Sequence, residues 1–262
     1  MITRTTSRSV DPADRKGPRR RLQYGSLAVV LGLVMASVPA ETRQNGEGAG
    51  VRPDFSGVWR TINPPAAPRV NTTLRWLPGP GELPEFTPAY KQRYDKIQAS
   101  RETGSEETES VARCLPPGMP WFMGAQYGLE ILQTRDKIGM FSEWMDAYRR
   151  IYLDGRKMPA DFDPSYNGYS TGRWEGDTLV VETVNLRGET ELDRYGSPHS
   201  DQLRIVERIR LVEPNVLEDV LTMTDPVAFT KPWTQTRRYR RTTSANDELH
   251  ENTCAEGLKL AK

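Results

Sequence analysis

Short runs in which apolar and polar residues alternate occupy most of the chain from residue 127 to residue 241. Every second residue of such a run is apolar, which is the period of a β-strand with one buried face. Tight turns such as 175–177 and 213–215 close the runs, as expected of antiparallel neighbours. The runs cover residues 127–134, 138–144, 147–153, 171–174, 178–184, 203–212, 216–224 and 231–241. With a further run over residues 55–62, the pattern predicts eight or nine strands.

Successive hairpins of this number predict a mainly β protein. The fold class we expect is an antiparallel up-and-down barrel, since closing the sheet removes its exposed edges. A two-sheet β-sandwich is the alternative. One short helix is predicted over residues 88–101, because Pro88 suits a first helical turn and Tyr90, Tyr94 and Ile97 recur at helical spacing.

The first 40 residues follow another pattern. A polar, basic stretch precedes an apolar run over residues 26–38, and small residues follow up to Ala40. This order is typical of a secretory signal peptide, and the run is short for a membrane span of about 20 residues. An uncleaved anchor remains the alternative. We interpret residues 1–40 as a signal peptide, 41–53 as a linker and 54–262 as a single β-barrel domain. We therefore expect export to the periplasm or extracellular space, by a route the sequence leaves open, with no stable membrane span after cleavage.

The two cysteines, Cys114 and Cys254, lie far apart in the sequence. An even pair in an exported chain is a candidate disulfide, and two unpaired buried thiols are the alternative. The two cysteines and two histidines show no clustered spacing, so no metal site is predicted.

Charge and motifs narrow the function. The 36 basic and 35 acidic residues give a net charge of +1, which predicts no nucleic-acid partner. Phosphate loops, dinucleotide fingerprints and hydrolase elbows do not occur in the sequence, so we expect no cofactor. Six tryptophans and ten tyrosines supply large apolar surfaces. The oligomeric state is left open.

A Gly-x-Trp motif, Gly57-Val58-Trp59, opens the barrel domain. It resembles the lipocalin and wider calycin signature. The resemblance implies that Trp59 is structural, packing across the closed end of a barrel beneath an arginine from a late strand. The candidates for that arginine are Arg237, Arg238 and Arg240. Alternatively, Trp59 is a plain core aromatic on a strand.

A longer resemblance covers most of the chain between the two cysteines. The block GRWEGDTLVV at residues 172–181 and the block PHSD at residues 198–201 resemble a family of secreted bacterial proteins. That family brings no established activity, so the resemblance bears on fold and not on function. The turn at residues 175–177 is itself well explained as a hairpin turn, with Gly176 at a positive φ angle.

The loop at residues 193–201 is the candidate catalytic site. His199 is the residue suited to acid or base work near neutral pH. Asp193 or Asp201 could orient it, and Arg194 or Tyr195 could bind or polarise a substrate oxygen. The alternative is a loop histidine that caps backbone groups. Paired acids inside the barrel are a further possibility, and four glutamates lie on predicted strands with undecided orientation: Glu130, Glu143, Glu182 and Glu207.

Three functions are consistent with these residues. The first is an exported barrel that binds a small, mostly apolar molecule, with aromatic candidates for ligand contact at Tyr169, Trp144, Tyr152 and Trp233. The second is a cofactor-independent lyase, hydratase, isomerase or cyclase that uses His199. The third is a structural or envelope-associated protein whose barrel is filled by its own side chains.

Overall fold

Nine strands, within the residues that the structure describes, form one closed barrel in which β9 returns to pair with β1. The strands are β1 Gly57–Thr61, β2 Leu129–Gln133, β3 Lys137–Ser142, β4 Tyr148–Tyr152, β5 Tyr169–Glu175, β6 Thr178–Val184, β7 Arg204–Glu213, β8 Val216–Thr224 and β9 Trp233–Arg241. The computed structural model describes residues 52–62, 83–103, 113–124, 127–244 and 247–254. The mainly β barrel predicted from the alternating pattern is confirmed, and the sandwich alternative is not observed.

The predicted signal peptide at residues 1–40 lies outside the described residues, as does the linker from residue 41 to residue 51. Both, and the domain boundaries that depend on them, stay predictions. No helix in the described part of the chain is long and apolar enough to cross a membrane.

One junction departs from the antiparallel prediction. Strands β4 and β5 run parallel, and only two register pairs join them, Ile151 with Ser170 and Tyr152 with Thr171. Parallel neighbours need a long crossover, usually a dozen or more residues, and residues 153–168 provide it here. The other neighbouring strands pair antiparallel. The barrel is therefore mixed, with a weakly joined seam between β4 and β5.

Two α-helices accompany the barrel in the described residues: α1 Pro88–Glu102 and α2 Trp121–Gly124, with a 3-10 turn at Trp144–Asp146. The predicted helix matches α1, which begins with the expected proline. Helix α2 was not predicted, because four residues are too few for a helical period to show. Strand β9 holds α2 in place: the Tyr239 hydroxyl donates to the Met123 carbonyl, and Arg237 donates to the Pro120 carbonyl.

Trp59 is fully buried, and its indole N–H donates to the Phe55 carbonyl at 2.8 Å. The guanidinium of Arg241 lies over the ring, 4.6 Å from its centre. The arginine on the tryptophan is thus Arg241 and none of the three candidates Arg237, Arg238 and Arg240. The β1–β9 register is the reason, since it places Arg241 directly opposite Trp59.

The remaining arginines of β7 and β9 chiefly face outward, and four of them bind acids, three times on the adjacent strand and once, from Arg208, across β6 to Glu175 on β5. These ion pairs are Arg204–Glu182, Arg208–Glu175, Arg210–Glu218 and Arg238–Glu218. The outer face of this side of the barrel therefore carries several ion-paired arginines.

The predicted disulfide between Cys114 and Cys254 is confirmed, with the two Cα atoms 5.6 Å apart. It attaches the tail at residues 247–254 to the segment before α2. The same tail is held by the Asp247 carboxylate on Arg60 and by the Asn252 N–H on the Asp146 carboxylate.

Candidate functional site

His199 is buried within its loop and is not exposed to solvent. Its side chain is fully buried, with Nδ1 2.8 Å from the Ser200 carbonyl oxygen and Nε2 3.3 Å from the Thr190 hydroxyl. A carbonyl oxygen can only accept, so Nδ1 carries the hydrogen and Nε2 accepts from Thr190. Burial lowers the pKa of His199 to about 4. The imidazole is therefore neutral at neutral pH.

The two aspartates predicted to orient His199 bind other groups. Asp193 accepts the Tyr195 N–H at 2.8 Å and the Ser197 hydroxyl at 2.9 Å, which closes a turn. Burial raises the pKa of Asp193. Asp201 is exposed and accepts from the Gln202 side chain. Both ring nitrogens of His199 thus have partners other than these carboxylates.

Helix α1 covers this loop. Gln98 donates to the Tyr195 carbonyl at 2.7 Å, and Arg93 donates to the His199 carbonyl at 3.5 Å. Arg194 lies over the ring of Tyr195, 5.9 Å from its centre. The five candidate catalytic residues therefore share one loop, but none of them lines either of the two depressions described below. Their part in acid/base chemistry stays a prediction.

A cleft of about 510 Å³ opens at the seam between β4 and β5. Only two residue pairs join these strands, so the first half of β4 has no neighbour on the β5 side, and the crossover folds back over the gap. Five aromatic side chains line the cleft: Tyr148, Tyr152, Phe162, Tyr166 and Tyr169. Pro116, Met145 and Ala147 add further apolar surface.

Three of these rings form a cluster. Tyr152 stacks on Tyr169 at 5.1 Å between ring centres, and Phe162 meets Tyr169 edge-on at 5.0 Å. Offset and edge-to-face contacts of this kind are the preferred geometries of aromatic pairs. The three rings therefore form a preorganised aromatic surface on one side of the cleft.

Of the four aromatic residues predicted to contact a ligand, two line the cleft and two do not. Tyr152 and Tyr169 line the cleft. Trp144 lies next to the cleft residue Met145 but packs on Trp121 and Tyr127, at 4.9 Å and 5.9 Å between ring centres. Trp233 is buried elsewhere, edge-on to Phe229.

Arginines stack on three of the cleft tyrosines. These pairs, with the distance from guanidinium carbon to ring centre, are Arg150 on Tyr148 at 4.7 Å, Arg156 on Tyr152 at 4.4 Å and Arg187 on Tyr166 at 4.9 Å. Arg156 is neutralised by Asp154 at 2.5 Å, and Arg187 by Glu189 at 2.9 Å. Arg150 forms no ion pair with any described residue.

Asn167 supplies a polar group in the lining. Its side-chain N–H donates to the Tyr148 carbonyl at 2.7 Å, which bridges the crossover to β4. That bond also assigns the amide orientation, because a flipped amide would place two oxygens against each other. The amide oxygen is buried and has no hydrogen-bond partner among the described residues.

A second depression, of about 600 Å³, lies on the outer face of β2 to β4 and shares Tyr148, Arg149 and Arg150 with the cleft. Its other lining side chains are mainly polar or charged, including Thr134, Asp136, Lys137, Asp154 and Arg156. Because the cleft holds more aromatic side chains, we regard the cleft as the candidate ligand site.

Charged groups lie inside the barrel next to the cleft. Arg149 is buried and donates to both carboxylate oxygens of Glu207, to the Thr183 hydroxyl at 2.9 Å and to the Ser170 hydroxyl at 3.2 Å. Removing one partner of such a buried pair is costly, because the other charge is then uncompensated. Through these hydrogen bonds Arg149 of β4 links to Ser170 of β5, Thr183 of β6 and Glu207 of β7 inside the barrel.

Asp219 is a further acid in the interior. It is fully buried, and neither carboxylate oxygen has a hydrogen-bond partner among the described residues. Burial, with a smaller effect from the negative charge of Glu207, raises the pKa of Asp219 well above its ordinary value. Burial at this position therefore favours the neutral acid relative to the carboxylate.

Sequence reasoning missed Arg149 and Asp219, although both left a signal. Each occupies the apolar phase of its strand, Arg149 between Ala147 and Ile151, and Asp219 between Leu217 and Leu221. Among the four glutamates left undecided, Glu207 is fully buried and Glu143 is buried against Arg60, whereas Glu130 and Glu182 are half-exposed. Within the described residues, no group of three His, Cys, Asp or Glu side chains could hold a metal ion.

Neither a protein-family model nor a curated protein sequence matches the chain. Among solved structures, the chain has matches to the fluorescent protein UnaG. The wild-type protein is 15% identical with a TM-score of 0.31, and two of its single-site mutants are 17% and 16% identical with TM-scores of 0.32. Each match covers 72% of this chain and 97% of the other. These TM-scores are too low to assign a ligand or an activity, and the resemblance to a family of secreted bacterial proteins stays a prediction.

Proposed function

We propose that this protein binds a small, mostly apolar molecule in the cleft between β4 and β5. The observation that carries the proposal is the aromatic lining of that cleft, with Tyr152, Phe162 and Tyr169 already clustered. Ligand pockets in proteins are generally lined by apolar and aromatic side chains and have volumes of about 300–1,000 Å³. The cleft, at about 510 Å³, falls within that range.

The cleft is a better site than the middle of the barrel. Large side chains occupy the interior at full burial, among them Trp59, Ile131, Met140 and Leu221. At one end, Phe122 and Met123 of α2 add to this packing. A ligand would have to displace these residues, whereas the cleft needs no such rearrangement.

Binding is favoured over turnover by the position of His199. No residue of the loop at 193–201 lines the cleft, and the His199 ring is hydrogen-bonded and buried beneath α1. A catalytic group has to lie within hydrogen-bonding reach of the substrate.

We also propose that the protein is exported. The pattern of residues 1–40 supports a signal peptide. The Cys114–Cys254 bond supports an oxidising compartment, where disulfides form and persist.

The proposal is tested with N-phenyl-1-naphthylamine, a neutral aromatic probe that fluoresces in apolar surroundings. We expect saturable binding to the wild-type protein and about tenfold weaker binding to Phe162→Ala, which corresponds to about 1.4 kcal/mol. Tyr127→Ala is the matched control, because Tyr127 is an exposed aromatic outside the cleft. Equal binding by the Phe162→Ala variant and the wild type would contradict the assignment of the site.

A further inference from the structure

The three arginines at the cleft differ in whether a carboxylate forms an ion pair with them. Of the three arginines that stack on cleft tyrosines, Arg156 and Arg187 have carboxylate partners within 2.9 Å. Arg150 has a ring beneath it, at 4.7 Å, and no ion-pair partner in the described part of the chain. Its side chain is exposed, and the residue lines the cleft. Arg150 is therefore a cation that is available to a ligand.

The other charged residues of the lining form no ion pair with Arg150 in the described part of the chain. Arg149 is neutralised internally by Glu207. Asp146 is the carboxylate of the lining; it accepts the Asn252 N–H of the disulfide-bonded tail at 3.1 Å, keeps its charge, and forms no ion pair with Arg150. Lys137, a second cation without an ion pair among the described residues, lies 5.5 Å from the Tyr152 ring centre and adds positive potential nearby.

A guanidinium on an aromatic face has a fixed plane, and its edge presents two parallel N–H groups. Carboxylates and sulfonates match that edge, which gives charge-assisted hydrogen bonds in pairs. The aromatic cluster of Tyr152, Phe162 and Tyr169 lies in the same cleft and suits a planar ring. The two features together suit a ligand with a flat apolar body and an anionic end.

We propose that the ligand is an aromatic acid, with its ring against the cluster of Tyr152, Phe162 and Tyr169 and its anionic group on Arg150. The inference rests on the proposed function, since it names the ligand class of the same cleft. It makes Arg150 the residue that selects acids over neutral aromatic molecules.

The test compares two probes that share one skeleton. N-phenyl-1-naphthylamine is neutral, and 1-anilinonaphthalene-8-sulfonate is the same molecule with a sulfonate. We expect the sulfonate to bind the wild-type protein at least tenfold more tightly at low salt, and the preference to shrink as salt screens the charge. Benzoate should displace the sulfonate probe, and benzamide, its neutral counterpart, should not.

Variants assign the preference to one side chain. Arg150→Gln should reduce the preference for the sulfonate to about threefold or less while binding of the neutral probe changes little. Arg240→Gln is the matched control, because it removes an exposed arginine of β9 that does not line the cleft. Urea midpoints close to that of the wild type show that both variants fold.

The outcomes separate the two proposals. Equal binding of both probes to the wild type, or an unchanged preference in Arg150→Gln, overturns the aromatic acid as ligand but leaves a binding cleft. Failure of both probes to bind, or binding of both that is unaffected by Phe162→Ala, overturns the proposed function itself.

Discussion

Acidification should destabilise this protein through His199. The ring is fully buried with both nitrogens hydrogen-bonded, Nδ1 as donor to Ser200 and Nε2 as acceptor from Thr190. Protonation would add a charge at this site and remove the acceptor at Nε2. The folded protein therefore resists protonation of His199, whereas the unfolded chain does not.

The size of the effect follows from the two pKa values. Burial lowers the pKa of His199 from 6.5 to about 4 in the folded protein. The difference of about 2.5 units corresponds to about 3 kcal/mol, at 1.36 kcal/mol per unit. Because the folded pKa is the lower one, this stability is fully present above pH 6.5 and is lost as the pH falls towards 4.

Urea unfolding of the wild type and of His199→Asn, from pH 8 to pH 4, measures this contribution. The difference in unfolding free energy between the two proteins should narrow by about 3 kcal/mol towards pH 4, with a slope of up to about 1.4 kcal/mol per pH unit. Taking the difference also removes the other titrating groups that both proteins share. His250→Asn is the matched control, since His250 is the other histidine and is exposed.

One result would refute the reasoning. If the stability difference between the wild type and His199→Asn is the same at pH 4.5 and pH 7.5, the ring is not held neutral by burial. His199 would then have to be accessible to solvent, and the hypothesis of an acid/base role in an open site would gain support.

Two further outcomes concern stability. Asp219→Asn should become more stable relative to the wild type as the pH rises above about 4, by at most about 1.4 kcal/mol per pH unit. The reason is that the pKa of Asp219 is raised in the folded protein, so the wild type loses stability as the pH rises through that pKa. Urea unfolding at several pH values measures the difference in unfolding free energy, and a difference that does not change with pH would contradict the prediction. Replacing Cys114 and Cys254 together by serine should lower the free energy of unfolding by about 5 kcal/mol on the chain-entropy relation for a separation of 140 residues. Unfolding midpoints with and without reductant measure the same bond, and an unchanged midpoint would rule out this contribution.

Local patterns in the sequence determined most of the barrel. Strand β7 illustrates this, since its alternation of apolar residues with arginines is a property of neighbouring residues and survives in Arg204–Glu213. Helix α1 begins at Pro88 as its first turn predicts. Helix α2 was beyond such reasoning, because a four-residue helix carries no period and is held by contacts with β9.

The candidate site depended on contacts between distant residues. The aromatic residues Tyr152 and Tyr169 could be selected from the sequence as ligand candidates, but nothing local places them beside Phe162. Arg241 reaches Trp59 because the β1–β9 register aligns the two residues, and register depends on the partner strand.

His199 and the β4–β5 seam show what only the tertiary structure decided. A histidine in a polar loop is expected at the surface, and it is buried here because α1 packs over the loop and binds its carbonyls. Alternation in β4 and β5 predicts two strands but not their relative direction, since that depends on the path of the crossover at residues 153–168. The sequence by itself therefore determined the strands, through local periodicity, and favoured a barrel over a sandwich. Packing between segments far apart in the chain decided where the barrel has a cleft and which side chains line it.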